Sequence, residues 1–193
     1  MEQKLKNRFL NDPSDCEQLL AWWKWLDDNR GDRARLRRVE SPDDVLLTGA
    51  FSRFLSEMPE KWSESRQLSS SALVAAIVAQ VRTNNEVSSF AVQLATPKDG
   101  GDKPRMSELR FQQLQKSHDP AEFFRRLLRA VRMLDGNVNI LSLANDVLHW
   151  MNEYRKGVDR NPKNRLTFCW ANDYYLTLLK KQSKAENKGG NTP

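Results

Sequence analysis

Cysteine and histidine, the residues that most often hold metals or act in catalysis, are nearly absent from this chain, with two of each in 193 residues. Cys16 and Cys169 lie too far apart in sequence to suggest a disulfide framework or a metal-ligand spacing, as is usual in a reducing compartment. No apolar run reaches the roughly 18 residues that a membrane span needs. The first residues, Met1 to Lys4, lack the apolar segment of a secretory signal. These absences predict a soluble, cytoplasmic protein without a membrane partner.

Catalytic patterns are missing as well. The sequence contains no His-Glu-x-x-His pair, no glycine-rich phosphate loop and no Gly-x-Ser-x-Gly turn. Adjacent acids such as Asp27 and Asp28 diverge around a helix, so they cannot gather two metal ions. His149 beside Trp150 could serve as a general base, but a helix histidine is more commonly a packed or solvated residue. The sequence therefore predicts no enzyme, no catalytic residue, no metal site and no cofactor.

Glycine and proline are scarce, with eight of each, and this favours helices because both residues interrupt them. Apolar residues recur with helical periodicity along most of the chain. The predicted helices cover 14–28, 33–39, a short turn from Ser41, 50–58, 71–81, 86–95, 106–116, 120–135, 140–156 and 161–182. Capping boxes are predicted at Ser14 with Glu17 and at Asp119 with Glu122.

One polar stretch breaks this pattern. Residues 96–104 contain two prolines and two glycines and are typical of a mobile loop. We therefore expect an all-α fold, a helical bundle of two small subdomains over 1–95 and 105–183. The polar tail, 184–193, is expected to be disordered.

Positive charge is concentrated in two places. Lys and Arg number 31 against 25 Asp and Glu, a formal net charge of +6. Five arginines and a single acid, Asp32, lie between Arg30 and Arg38. In the helix after Pro120, three arginines fall on one stripe at about 100° per residue, opposite Phe123, Phe124, Leu127, Val131 and Leu134. The stripe consists of Arg125, Arg129 and Arg132, with Arg126 beside it.

Two interpretations of these clusters remain open. Arginine suits phosphate because its planar fork donates two parallel hydrogen bonds and keeps its charge at any working pH. A basic stripe is also simply what a solvated helix face contains. The six tryptophans likewise could stack on bases, although tryptophans on apolar helix faces usually belong to the core. Trp25 falls off the main apolar stripe of its helix and is expected to be the most exposed.

An ordered series of short motifs resembles one family. The segment Trp22–Leu26 followed by Ala34–Val39 is similar to the opening of the CasB family, the small subunit of type I-E CRISPR Cascade complexes. The further motifs, in order, are Ser41–Asp44, Ala50–Leu55, Trp62, Glu108–Phe111, Phe124–Leu128 and Leu148–Trp150. The resemblance covers about residues 17–180. Met106–Glu108 departs from it, because the family often has a glycine there.

The resemblance implies a helical fold of two subdomains and a non-catalytic antiviral role. Such subunits sit as two copies in a crRNA-guided complex, contact its backbone and large subunits, and stabilise the R-loop by holding the displaced non-target DNA strand and bracing the crRNA–target duplex. Base pairing then reads the sequence, and the protein reads charge and shape. The residues implied are Arg37, Arg38, Arg110, Arg125 and Arg126, to which the helical stripe adds Arg129 and Arg132. Lys98 and Lys103 lie in a loop that is acidic as well as basic, so no DNA contact is expected from them.

Two other functions are compatible with the sequence. A helical scaffold could use the same arginines to bind acidic protein surfaces, without direct contact to nucleic acid. A small metal-dependent nuclease is the third class, and it would require acids gathered by the fold, since none are gathered in sequence.

Overall fold

The computed structural model describes residues 8–99 and 101–189, with side chains up to Ser183. Helices dominate, at 67% of the chain, which confirms the predicted all-α class. The helices are α1 (Pro13–Asp28), α2 (Arg30–Arg38), α3 (Pro42–Val45), α4 (Gly49–Glu57), α5 (Leu68–Val78), α6 (Phe90–Ala95), α7 (Glu108–Gln115), α8 (Pro120–Met133), α9 (Ile140–Lys156) and α10 (Leu166–Gly189). Glu60–Trp62 and Pro162–Asn164 form 3-10 turns. Two short strands, β1 (Thr83–Asn84) and β2 (Asn137–Val138), pair in parallel.

Helix starts follow the side-chain chemistry of the preceding residue, with two corrections. At α1 the cap is Asp12, whose carboxylate accepts a hydrogen bond from the Ser14 amide at 2.9 Å, so the predicted Ser14–Glu17 box was wrong. Asp119 caps α8 through the Glu122 amide at 2.8 Å. The Glu122 carboxylate, however, accepts from the His118 amide at 2.8 Å, so the reciprocal half of the predicted box lies one residue earlier. Both termini still satisfy an orphan backbone donor.

The last helix also differs from the prediction. Pro162–Asn164 is a separate 3-10 turn, and Arg165 has an extended backbone, so α10 begins at Leu166 rather than at Asn161. Residues 184–189, which were expected to be disordered, continue the backbone of α10. Residues 190–193 lie outside the described residues, as do 1–7. No described helix has the length and apolar content needed to cross a membrane.

Helix α5 lies at the centre of the core. It is apolar nearly all round, and Leu73, Val74 and Ile77 are completely buried. It packs against α3, α8 and α9. A short helix of this composition is stable because its neighbours cover every face. Its burial confirms the core helix predicted around 71–81.

Contacts cross the 96–104 loop in several places. Helix α6 precedes the loop in sequence but packs on α10, α5 packs on α9, and β1 pairs with β2. Pro97 and Pro104 form a bridge that closes the base of the loop. The division into two subdomains at this loop stays a prediction.

A tight turn after α8 fixes the segment that follows α5. Asp135 and Gly136 both have positive φ, 56° and 74°. The Gly136 carbonyl accepts hydrogen bonds from the amides of Arg82 (2.8 Å) and Thr83 (3.1 Å). A Cβ on Gly136 would lie 2.9 Å from Cγ of Arg82. Only glycine therefore fits beneath Arg82 in this conformation.

Gly136→Ala should destabilise the fold by about 1–2 kcal/mol, because alanine is strained at positive φ and its methyl group meets Arg82. Urea denaturation followed by circular dichroism measures this. Gly31→Ala is the matched control: a Cβ there meets nothing within 4 Å, and alanine is the better helix former. Equal stability of the two variants would show that the turn is not as described.

A buried polar cluster joins α9 to α10. The Asp146 carboxylate accepts from Trp170 Nε1 at 2.8 Å and from Asn145 Nδ2 at 3.3 Å. Burial raises the pKa of Asp146 to about 7, although these two hydrogen bonds and the nearby His149 oppose the shift. The carboxyl group therefore keeps its proton in the folded protein over a pH range in which an unfolded chain has lost it.

A raised pKa in the folded state means that Asp146 favours folding at low pH and loses that contribution as pH rises from about 4 to about 7. Asp146→Asn keeps an oxygen for Trp170 but does not titrate. We expect its free energy of unfolding, relative to wild type, to increase with pH across this range. Asp135→Asn is the control: hydrogen bonds from Lys98 and Arg105 lower the pKa of Asp135, so its contribution changes only below about pH 4, and this variant should run parallel to wild type across the range. Parallel pH profiles for wild type and Asp146→Asn would contradict the assignment.

Candidate nucleic-acid interface

The α2 cluster divides into a buried and an exposed part. Arg33 is 8% exposed and forms an ion pair with Asp27. Its guanidinium also donates to the Trp23 carbonyl at 3.4 Å and lies 5.7 Å from the centre of the Trp23 ring. Arg33 therefore fastens α2 to α1. The arginines that face solvent in this cluster are Arg30, Arg35 and Arg38.

Arg37 lies at the border between these parts. It is half-buried, and its Nε donates to the Ala79 carbonyl at 2.9 Å. Its terminal nitrogens have no hydrogen-bond partner among the described residues. Burial lowers the pKa of Arg37, and the positive charges of Arg33 and Arg82 lower it further. Arg37 thus holds an oriented guanidinium in an environment where an anion would be favoured.

Helix α8 presents the predicted stripe. Arg125, Arg129 and Arg132 are exposed, and none forms an ion pair or side-chain hydrogen bond within the described part of the chain. The opposite face is fully packed. Its buried residues are Phe123, Phe124, Leu127, Ala130 and Val131. The two-faced character predicted for this helix is therefore confirmed.

Arg126 differs from its neighbours on α8. It forms an ion pair with Glu122 at 2.7 Å, donates to the Gln113 carbonyl, and lies 3.3 Å from the Ser117 hydroxyl. These contacts fasten α8 to the end of α7. Arg126 is consequently a structural contact rather than a free cation, although the sequence grouped it with Arg125.

The basic residues upstream of α8 have different surroundings. Arg110 is exposed on α7, next to α8, without a described side-chain partner. Arg105 and Lys98 both pair with Asp135, at 3.0 and 2.9 Å. Their charge is thus partly neutralised within the chain, whereas that of Arg110 is not.

Sequence reasoning missed Arg82. It stands alone between Val81 and Thr83, outside any helix, so no periodicity or cluster marks it. The fold places it against Gly136 and close enough to Arg37 for their charges to interact. Its side chain is exposed and has no ion-pair partner among residues 8–99 and 101–183. Only tertiary contacts bring it near Arg37 and the end of α8.

The tryptophans belong to the core. Trp22, Trp62 and Trp170 are buried, and Trp23 and Trp150 are only 8% exposed. Trp25 is the most exposed of the six, as its position off the apolar stripe predicted, although it is still half-buried; the Arg53 guanidinium lies 5.4 Å from its ring centre. No described indole is therefore fully open to a nucleobase.

Comparison with protein families gives one match. The model for CRISPR-associated protein Cse2 matches residues 32–175, three quarters of the chain. The chain belongs to the Cse2 family. This confirms the resemblance to CasB, the type I-E Cascade small subunit. Among curated proteins, the comparison finds no match.

The family match also covers most of the arginines described above. The Cse2 segment begins at Asp32 and so includes Arg37, Arg38 and Arg82, and it extends through α7 and α8. Cse2 proteins are CRISPR-associated subunits of Cascade. Within the described residues, no group of three or more His, Cys, Asp or Glu side chains could hold a metal ion.

The geometry of α8 predicts opposite behaviour for adjacent arginines. Arg126→Ala should lower the free energy of unfolding by about 1–2 kcal/mol, because it removes an ion pair within α8 and the hydrogen bond from α8 to the Gln113 carbonyl on α7. Arg125→Ala is the matched control and should stay within about 0.5 kcal/mol of wild type, as expected of an exposed, unpaired residue. Urea denaturation of both variants measures these two free energies of unfolding. A larger loss for Arg125→Ala would overturn this division of roles.

Proposed function

We propose that this Cse2-family protein is a non-catalytic subunit of a crRNA-guided antiviral complex and binds nucleic acid by its phosphate backbone. Its main ligand in the complex is the displaced non-target DNA strand of the R-loop. The observation that carries the proposal is the row of unpaired, exposed guanidinium groups on α8. Arg38 and Arg110 add to it, with Arg37 at the edge of the α2 cluster.

The charge pattern supports a phosphate ligand. Several arginines in this chain satisfy their charge internally, as Arg33 does with Asp27 and Arg126 with Glu122. Among the described residues no acid pairs with the α8 stripe, so its charges repel one another until an anion neutralises them. A nucleic acid strand offers a regular row of anions, and its counterions are released on binding.

The surface favours backbone binding over sequence reading. Its cations lie on an outer helix face, and the described tryptophans are packed away from solvent. Phosphate contacts position a strand without distinguishing bases. This suits a complex in which the guide RNA reads the sequence. The same proposal places the protein in the cytoplasm, with the other Cascade subunits, crRNA, target DNA and a second copy of itself as partners.

A charge-matched pair of triple variants tests the proposal. The test variant is Arg125→Ala with Arg129→Ala and Arg132→Ala. The control removes three exposed cations near the α9–α10 connection, Lys156, Arg160 and Lys163. Both lower the formal net charge of +6 by three. Binding of labelled single-stranded and duplex DNA is titrated at several salt concentrations.

The α8 variant should bind single-stranded DNA at least about tenfold more weakly, with a salt slope reduced by about 2, since each lost phosphate contact contributes roughly 0.7. In the assembled complex, its R-loops should decay faster while subunit assembly stays normal. The control should retain most of the affinity.

If the α8 variant lost assembly but kept DNA binding, the arginines would serve acidic protein surfaces and the scaffold function would replace this one. Metal-dependent cleavage of nucleic acid by wild type would revive the nuclease alternative.

A further inference from the structure

Residues 79–83 lie between α2 and the turn that follows α8. On the α2 side, the Ala79 carbonyl accepts from Arg37 Nε at 2.9 Å, and the Val81 carbonyl accepts from Arg33 at 3.5 Å. On the α8 side, the amides of Arg82 and Thr83 donate to the Gly136 carbonyl. One short segment therefore contacts arginines of α2 and the turn that ends α8 through its backbone.

The turn after α8 links Arg82 to the end of the α8 stripe. The Asp135 amide donates to the Arg132 carbonyl, and the Gly136 amide donates to the Val131 carbonyl, both at 3.0 Å. Gly136 then holds the backbone of Arg82. This turn, which also carries Asp135 with its partners Lys98 and Arg105, places the backbone of Arg82 beside the C-terminal end of α8.

The Arg82 side chain is held at its base and free at its end. Its Cγ, Cβ and Cδ are the nearest atoms to the space in which a Cβ of Gly136 would lie. Its guanidinium is exposed and has no carboxylate partner in the part of the chain that the structure describes. The pKa of Arg37 is lowered mainly by burial, then by the positive charges of Arg33 and Arg82, so Arg82 lies within electrostatic range of Arg37. An anion between them would interact with both.

We infer that Arg82 joins the α2 and α8 clusters into one phosphate-binding surface, across which a single nucleic acid strand runs from Arg37 and Arg38 to the α8 stripe. This rests on the proposed function and deepens it. It assigns both clusters to the same strand, instead of one cluster to nucleic acid and the other to a neighbouring protein. It also makes Arg82 a binding residue that neither helix contains.

Oligonucleotides of different lengths test whether Arg82 joins the two clusters. Fluorescein-labelled oligothymidylates of about 5 and about 15 nucleotides are chosen because single-strand sites cover about 4–16 nucleotides. The shorter probe can occupy one cluster, whereas the longer one can cross both. The full-length proteins are wild type, Arg82→Ala, Arg82→Lys and the control Arg160→Ala, which also removes one exposed arginine.

Arg82→Ala should weaken binding of the longer probe at least about fivefold, with a salt slope smaller by about 0.7. Its binding of the shorter probe should stay within about twofold of wild type. Arg82→Lys should restore the salt slope but not the full affinity, because lysine keeps the positive charge and lacks the planar guanidinium group that donates two parallel hydrogen bonds. Arg160→Ala should bind both probes like wild type. The melting temperature of Arg82→Ala should be unchanged.

Other outcomes overturn the inference in distinguishable ways. If Arg82→Ala binds both probes like wild type while the α8 triple variant loses binding, the clusters act separately and only the junction is wrong. If it weakens both probes equally, Arg82 belongs to a single cluster and joins nothing. If the α8 triple variant also binds normally, the proposed function itself fails.

Discussion

The exposed guanidinium groups of α8 depend on the apolar face directly behind them. Phe123, Phe124 and Leu127 are completely buried against the core, so α8 cannot rotate to hide its charges. The cost of keeping like charges together on one face is met by this burial, which contributes roughly 1.5–3 kcal/mol for each large apolar side chain. The fold thereby fixes a row of cations that its own acids do not neutralise.

The separation of paired from unpaired arginines follows from how the helices are joined. Arg33 and Arg126 lie at helix–helix junctions, where a buried or half-buried guanidinium needs an acid or a carbonyl. Arg125, Arg129 and Arg132 lie on the exposed face of α8 and have no ion-pair or side-chain hydrogen-bond partner among the described residues. The same residue type therefore has two roles in this chain, decided by whether a neighbouring helix covers the position. The unpaired set is the part of the basic charge that a partner can use.

Local pattern was enough to predict most of the helices and the two faces of α8. The apolar period of residues 123–134 identifies a buried face directly, because it depends only on helix geometry. Burial of α5 was predictable for the same reason, since it is apolar on every side. The resemblance to the Cse2 family was also visible in the order of its short motifs, and the family match confirms it.

The remaining features depend on contacts between distant residues, which sequence spacing does not encode. Arg126 is adjacent to Arg125, but its carbonyl partner is contributed by α7. Arg82 has no charged neighbour in sequence, and only the fold places it against Gly136 and within range of Arg37. The N-cap of α1 was misplaced by two residues, because Asp12 rather than Ser14 accepts the hydrogen bond at the helix start.

The central claim is that unpaired arginines on α8 contact phosphates within the assembled complex. Ultraviolet crosslinking of that complex on target DNA, followed by mass spectrometry of peptides that carry nucleotides, tests this most directly. We expect nucleotide adducts on peptides from α8 and from the segment around Arg82, and few on the exposed cations near Arg160. Adducts absent from α8, together with protein–protein crosslinks from its arginine face to acidic peptides of other subunits, would contradict the claim.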